Sequence, residues 1–381
     1  MKLFPKDPYD WAQHAECVQY VEGLSDYEKV QARDALTYLG AKLGNGFLAP
    51  SEDKGIHPIS GLLNNVVPWT RRKLIMLAQD VRTLENAENV SKLLSGLKQP
   101  SLFDHNQLVL SCAGGLVREG LSARFEPTRP LGNGEKQPDI KLTNIPANEN
   151  VYLEVAVTEA SRKDSLIHER AWGLTERLFR AGAELRWCGK LHKTLAEPHW
   201  AEVLGRVDSA IVAASRDQRL VTVEELSTIA LAVCPEAKVA ELELWAQAHG
   251  IQPGELLGPP ISLNHLDRLK NKIMNEQQQL PKDAASVLFI QNSDAFFFTR
   301  DIGALVSELE EEIYRFPQVA MLIVQGSSLG GEQPEVKQFG QHRYSRRIMA
   351  GDICEQNLLL VNRFCSKGLS MSTLSSFLRV F

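Results

Sequence analysis

The sequence predicts an α/β (α+β) fold in which a mixed β-sheet is flanked by helices and preceded by a helical N-terminal domain. Across residues 101–381, short apolar strand-like segments alternate with amphipathic helical segments, which is the pattern of a helix-covered sheet. The segment Val319–Val324 is apolar throughout, as expected for a strand buried on both faces. Residues 1–100 show helical periodicity. We therefore predict two domains, 1–100 and 101–381.

Three helices are expected in residues 1–100. The first is Tyr27–Leu43, whose apolar residues recur at helical spacing. A loop rich in glycine and proline follows, and Thr70 can cap a second helix with an apolar stripe that ends at Leu84. The third helix is Val90–Leu97. Together they predict a small bundle that acts as a cap or binds a protein partner.

The predicted main domain begins with a helix, Asp104–Glu119, which has one apolar face and ends at Gly120. A short strand, Leu121–Phe125, follows it, and two further strands cover residues 138–142 and 151–157. The remaining segments alternate in type. Helices are predicted at Ser165–Phe179, His199–Ala214, Lys238–His249, Leu263–Gln279, Asp301–Tyr314 and Thr373–Leu378, and strands at Glu184–Cys188, Ile229–Val233, Ala285–Ile290, Val319–Val324 and Leu358–Val361.

The composition narrows the class of protein. The chain is 44% hydrophobic and 23% charged, which is typical of a globular protein in water. Its formal net charge of -5 gives no general attraction to nucleic acid, so such a site would need a local basic cluster. The six cysteines include no C-x-x-C pair and predict reduced thiols in a cytoplasmic protein. No stretch approaches the roughly 18 apolar residues of a membrane span, so no membrane association is expected.

Two acidic residues stand in apolar strand-like segments. Asp139 lies in residues 138–142 and Glu154 in residues 151–157, and a turn rich in asparagine and proline connects the two segments. If the strands pair antiparallel, the two carboxylates can lie side by side. A carboxylate in apolar surroundings is costly unless it is paired or binds a cation. The pattern therefore predicts a site for Mg²⁺ or Mn²⁺.

A purely structural interpretation of these acids stays open. Asp139 follows Pro138 and could cap nearby backbone amides in a turn. Glu154 could pair with Arg124 or Arg162 at an edge of the sheet that faces solvent.

The order of these features resembles the core of the PD-(D/E)XK, or restriction-endonuclease-like, nuclease superfamily. A helix and a strand precede Pro138-Asp139, and Glu154-x-Ala156 follows on an apolar strand about fifteen residues later. The resemblance covers roughly residues 103–180. It implies a restriction-endonuclease-like mixed sheet flanked by helices, and hydrolysis of DNA phosphodiester bonds with Mg²⁺ or Mn²⁺.

The same resemblance implies roles for particular residues. Asp139 and Glu154 would be catalytic metal ligands, and the main-chain carbonyl of Val155 would be the third ligand from the protein. The lysine of the family pattern falls at Ala156, which cannot stabilise developing negative charge. Lys163 is the first choice for a relocated lysine, and Lys141 on the neighbouring strand is another candidate.

The supporting helix also departs from the family pattern, because its frequent acid has no clear counterpart here. Asn106 and Gln107 occupy the expected place, and Asp104 lies just before them. Gln107 could orient a water molecule on the metal, but an amide is a poorer ligand than a carboxylate.

The densest basic cluster is His342–Arg347, which contains Arg343, Arg346 and Arg347 around one tyrosine. Together with Arg162, these arginines could bind a nucleic-acid backbone. The alternative is a solvated loop that pairs with the acidic stretch Glu308–Glu312.

Three kinds of function are compatible with these features. The first is a metal-dependent DNA nuclease acting in defence against foreign DNA or in repair, for which a homodimer is plausible. The second is a catalytically silent endonuclease fold that binds DNA or a protein. The third is a structural interaction protein. The first is the leading hypothesis, and Ala156 and the missing helix acid are the features that favour the second.

Overall fold

The computed structural model describes most of the chain and leaves out a set of short segments. The described residues are 5–49, 57–65, 67–126, 129–131, 134–136, 138–158, 170, 173–175, 177–178, 180–181, 184–192, 197–225, 229–257, 265–292, 302–329, 336–338, 343–350 and 353–381.

The chain forms two compact units. Met1–Thr158 and His265–Phe381 make up the first, and Glu159–Asn264 make up the second, so the second unit is an insertion in the sequence of the first. The boundary predicted at residue 100 differs from this division. The N-terminal helices share one hydrophobic cluster with residues of the sheet, because their apolar stripes pack in the same core.

Among the described residues, six α-helices precede the sheet of the first unit. They are α1 (Trp11–Cys17), α2 (Asp26–Leu43), α3 (Pro58–Asn64), α4 (Pro68–Thr83), α5 (Val90–Gly96) and α6 (Phe103–Arg118). Local sequence explains where several of them begin. Ser25 and Glu28 form a reciprocal capping box at the start of α2, and prolines occupy the first positions of α3 and α4.

The first unit contains an eight-stranded mixed sheet. Its strands are β1 (Ser122–Phe125), β4 (Ile140–Asn144), β5 (Glu149–Thr158), β10 (Ala285–Asn292), β11 (Met321–Leu329), β12 (Val336–Gln338), β13 (Arg343–Ala350) and β14 (Ile353–Val361). Their spatial order is β1-β4-β5-β10-β11-β14-β13-β12. β5, β10 and β11 are parallel, and the other neighbours are antiparallel. β2 (Arg129–Leu131) and β3 (Gly134–Lys136) form a separate hairpin.

Both faces of this sheet are covered. On one face, Val151, Leu153 and Val155 of β5 belong to the cluster that includes α6 and the C-terminal helix α11 (Met371–Val380). On the other face, Tyr152 and Ala156 belong to the cluster formed with α9 (His265–Glu276) and α10 (Ile302–Ile313). The predicted alternation of β5 is therefore confirmed, and Glu154 shares its face with Tyr152 and Ala156.

The second unit has its own sheet and cores. β7 (Val221–Glu225), β8 (Ile229–Pro235), β6 (Leu185–Leu191) and β9 (Leu256–Leu257) lie in that order. α7 (Glu197–Asp217) packs in one cluster with the sheet, and α8 (Val239–His249) packs in another. Only part of the predicted helix Ser165–Phe179 lies within the described residues.

The mixed helix-and-sheet class predicted from the sequence is confirmed. No helix in the described ranges is both long enough and apolar enough to cross a bilayer. The basic segment Arg343–Arg347, for which a solvated loop was one prediction, lies instead in β13. Pairing with β14 supplies its backbone hydrogen bonds, so tertiary context overrides the loop-like composition.

Candidate functional site

Asp139 and Glu154 are neighbours across the antiparallel strands β4 and β5. Ile140 pairs with Leu153, so the next position along each strand places Asp139 opposite Glu154. The amide of Asp139 donates a hydrogen bond to Glu154 Oε2 at 3.4 Å. The two acids therefore meet as their sequence positions predicted, at the point where β4 begins.

The carboxylate of Asp139 is held from two sides. The backbone amide of Val155 donates to Asp139 Oδ2 at 2.8 Å. His105 Nε2, from the first turn of α6, lies 3.3 Å from Asp139 Oδ1. The Asp139 side chain is 18% exposed, so it is anchored near the protein surface. The structural alternative for Asp139, in which its side chain caps a backbone amide, is therefore observed in part, because Asp139 accepts a hydrogen bond from the Val155 amide.

Glu154 is a buried acid that has one weak hydrogen-bond partner among the described residues. The residue is 7% exposed, and its hydrogen bond from Asp139 is long. Burial, then the negative charges of Asp139 and Glu276, raise the pKa of Glu154 to about 10. The alternative in which Glu154 pairs with Arg124 at an exposed edge is wrong, because Arg124 pairs with Glu88 at 3.0 Å.

The main chain of Val155 also faces this site. In a strand, the amide and carbonyl of one residue point to the same side. Because the Val155 amide reaches the Asp139 side chain, the Val155 carbonyl is directed to the same edge of β5. Two carboxylates and one carbonyl are oxygen donors of the kind that hard divalent cations take.

A lysine and a third acid come from α9. Lys272 and Glu276 form an ion pair at 2.8 Å, one helical turn apart. The charges of both residues act on Glu154 and on His105. Leu269 and Ile273 of the same helix are fully buried with Ala156, so α9 packs directly over the face that carries Glu154.

His105 was not predicted as a site residue. Its pKa is raised, first by the hydrogen bond to Asp139, against the opposing effect of burial. Among the described residues, no hydrogen bond joins Asp104 or Gln107 to Asp139 or Glu154. Asp104 is exposed at the surface of α6, and its pKa is raised by partial burial and lowered in part by Lys73.

The remaining predicted site residues are placed only in part. Lys163 and Arg162 lie outside the described residues. Lys141 is half-buried on β4 opposite Tyr152, so it shares the face of the two acids. Three predicted nucleic-acid contacts lie on β13, where the backbones of Arg343, Arg346 and Arg347 pair with Leu360, Asn357 and Gln356 of β14.

The donor set is incomplete when side chains alone are counted. In the part of the chain that the structure describes, no three or more histidine, cysteine, aspartate or glutamate side chains converge in a way that could hold a metal ion. The costly burial of Glu154 and the carbonyl of Val155 nevertheless fit an oxygen-ligated divalent ion.

We compared the chain with models of known protein families and with curated proteins. No model of a known protein family matches the chain, and no curated protein is similar to it.

Proposed function

We propose that this chain is a divalent-metal-dependent nuclease that hydrolyses DNA phosphodiester bonds. The observation that carries the proposal is the meeting of Asp139 and Glu154 across β4 and β5, with Glu154 almost fully buried. A buried acid beside a second carboxylate either keeps its proton, as the raised pKa of Glu154 indicates, or needs a cation that compensates both charges. The Val155 carbonyl is directed to the same edge of β5 as these two acids.

The surrounding architecture supports the proposal. A buried helix (α6), a strand (β1), Pro138-Asp139, and Glu154 on the apolar strand β5 occur in the order of the PD-(D/E)XK core. The sheet is mixed and helices cover both of its faces, as the resemblance implies.

Each residue has a distinct task in this mechanism. Asp139, Glu154 and the Val155 carbonyl would hold the ion, which when bound polarises the phosphate and assists the attacking water. The Val155 amide fixes the orientation of the Asp139 side chain, since it donates a hydrogen bond to Oδ2. Glu154 would have to lose its proton to act as a ligand of the ion.

The positive group of the site would come from α9. Ala156 is 3% exposed beneath Leu269 and Ile273, so a long side chain at position 156 would collide with the helix. Lys272 lies beside these two residues on the helix and acts electrostatically on Glu154. We assign to Lys272 the stabilisation of charge on the phosphate, a role that the sequence pattern gave first to Lys163.

Cleavage of supercoiled and linear DNA with Mg²⁺ or Mn²⁺ tests the proposal. Asp139→Asn and Glu154→Gln should each abolish cleavage, and Glu126→Gln, a surface control, should leave it unchanged. Glu126 is matched in charge and ion-paired to Lys92 at 2.9 Å. Cleavage that survives in either site variant would show that a different centre, or a contaminant, cuts the DNA.

The role of Lys272 has a matched control on the same helix. Lys270 forms an ion pair with Glu308 at 2.6 Å, so Lys270→Met removes a similar surface pair. Lys272→Met should lower the cleavage rate about a hundredfold, and Lys270→Met should change it little. Equal effects of the two substitutions would remove Lys272 from the mechanism.

A catalytically silent fold that binds DNA or a protein is the second candidate, and Ala156 favours it. It predicts DNA binding that is unchanged by Asp139→Asn and no cleavage with any divalent ion. The nuclease predicts cleavage that requires both acids.

A further inference from the structure

We propose that an aromatic and basic patch next to the C-terminal end of α10 binds single-stranded DNA. The patch, called the Phe364 patch below, consists of Tyr314, Arg315, Arg363 and Phe364. These residues come from the segments that follow α10 and β14. The choice of DNA rests on the proposed function, although binding at the patch does not require that DNA is cleaved.

Phe364 is an aromatic residue that the fold leaves largely in solvent. It is 59% exposed. Its ring meets the ring of Tyr314 edge to face, with centroids 4.9 Å apart and planes at 86°, which is a favourable geometry for an aromatic pair. Tyr314 packs in turn against the hydrophobic cluster on the Glu154 face of the sheet, so it anchors the exposed ring to the core.

Two arginines accompany these rings. The guanidinium of Arg363 lies 5.2 Å from the centroid of the Tyr314 ring and 5.0 Å from that of Phe364. Within the described part of the chain, no carboxylate pairs with Arg363. Arg315 pairs with Glu312 at 3.2 Å but keeps 69% of its side chain exposed. On a chain with a net charge of -5, the patch thus presents local positive charge to a phosphate.

The two segments of the patch are fixed against each other by a buried amide. Asn362 is 1% exposed, and its Nδ2 donates to the carbonyls of Ile313 and Val319, each at 2.9 Å. Asn362 Oδ1 accepts the backbone amide of Phe364 at 2.9 Å. The rings and the guanidinium are therefore held in place before a ligand arrives, which lowers the entropy cost of binding.

This combination of groups matches a single nucleic-acid strand better than it matches other anions. An unpaired base stacks on an exposed aromatic ring while arginines contact the neighbouring phosphates. In a duplex the faces of the internal bases are covered by their neighbours, so the ring of Phe364 would have no base to stack on. An acidic peptide would pair with the arginines and leave the exposed ring unused.

The Phe364 patch lies within reach of the two acids on the same face of the sheet. Glu154 pairs with Leu288, Leu288 with Leu322, and Leu322 with Leu360, which lies two residues before Asn362. At about 4.8 Å per strand, Leu360 is roughly 14 Å from Glu154. About four stacked nucleotides at roughly 3.4 Å each span this distance. A strand bound at the patch is therefore long enough to reach Asp139 and Glu154.

The test is fluorescence anisotropy of the full chain with a labelled oligothymidylate of about 20 nucleotides in EDTA, compared with a duplex of the same length. The single strand should bind more tightly than the duplex, and Phe364→Ala should weaken its binding about tenfold. Phe364→Trp should preserve binding, because it keeps a ring for stacking. Arg363→Gln should also weaken binding and lower the slope of log affinity against log salt by about 0.7, which Phe364→Ala should not.

Matched controls come from the second unit. Leu244 is 70% exposed, and the Arg216 side chain is 73% exposed. Leu244→Ala and Arg216→Gln therefore remove an exposed apolar side chain and an exposed arginine away from the patch, and neither should change binding. Thermal melting shows that each variant is folded.

Several results would overturn the inference. They are single-stranded binding no tighter than duplex binding, equal losses in Phe364→Ala and Leu244→Ala, or tighter binding of an oligouridylate RNA or of polyglutamate than of the DNA strand. Binding that depends on Phe364 without cleavage after Mg²⁺ or Mn²⁺ is added would support this inference and refute the nuclease. Cleavage without such binding would refute this inference alone, so the two failures are distinguishable.

Discussion

Glu154→Gln should stabilise the protein, although it removes a residue of the proposed site. The pKa of Glu154 is raised from 4.5 to about 10 in the folded chain, chiefly by burial. Between these values the folded state keeps a proton that the unfolded state has lost, so stability falls as pH rises. Each pH unit costs about 1.4 kcal/mol, so at pH 7 the cost is roughly 3 kcal/mol. Glutamine has nearly the same shape and carries no such cost.

The assay is urea unfolding of the parent and the variant at pH 5, 7 and 9. The stabilisation should be small at pH 5, roughly 3 kcal/mol at pH 7, and larger at pH 9. Glu126→Gln is the control, because an exposed ion pair such as that with Lys92 contributes at most about 1 kcal/mol. A pH-independent difference, or destabilisation by Glu154→Gln at pH 9, would refute the reasoning about Glu154.

Three further predictions concern the same unit. Binding of Mn²⁺ at pH 7 should release about one proton, because Glu154 must ionise. Calorimetry in buffers of different ionisation enthalpy measures the number of protons released. Binding without proton release would contradict the prediction. Gly114→Ala should lower the free energy of unfolding by about 2 kcal/mol in chemical denaturation, because the new Cβ would lie 2.4 Å from Asp80 Oδ1. Asp80 cannot easily move, since Arg118 forms an ion pair with it at 2.8 Å. An unchanged unfolding midpoint would show that α4 and α6 can move apart at no cost. Asn362→Ala should lower the free energy of unfolding by about 2–3 kcal/mol in the same assay, because the buried side-chain amide donates to three backbone carbonyls. An unchanged free energy of unfolding would mean that water satisfies these carbonyls in the variant.

The pairing of β4 with β5 could be predicted because it is local. A short polar turn joins two apolar segments, and the period of two fixes which side chains share the face of Glu154. The sequence could not show that residues 159–264 form a separate unit. Their helices and strands have the same local periodicity as the rest, and the division into two sheets depends on pairing between strands distant in sequence.

His105 was missed although a signal for it exists. It lies four residues before Val109, so it extends the buried stripe of α6 to the end that meets β4. The prediction looked for an acid or amide at Asn106 or Gln107, and Asn106 is turned instead toward Gly96 of α5. The buried apolar residues fix the rotation of α6 about its axis, and this rotation determines that His105 contacts Asp139.

Lys272 was missed for a different reason. It flanks the apolar pair Leu269 and Ile273, but periodicity alone does not say which strand a helix covers. The packing of α9 on Ala156 shows that this helix covers β5. Similarly, the placement of Arg343–Arg347 in β13 depends on pairing with β14, which the charged sequence itself disfavours.

Anomalous diffraction from crystals grown with Mn²⁺ is the most direct test that Asp139 and Glu154 share one divalent ion. We predict a single strong peak at about 2.0–2.6 Å from Asp139 Oδ1 and from one Glu154 oxygen. A peak bound elsewhere, or no peak while Glu154 keeps its hydrogen bond to the Asp139 amide, would contradict the account.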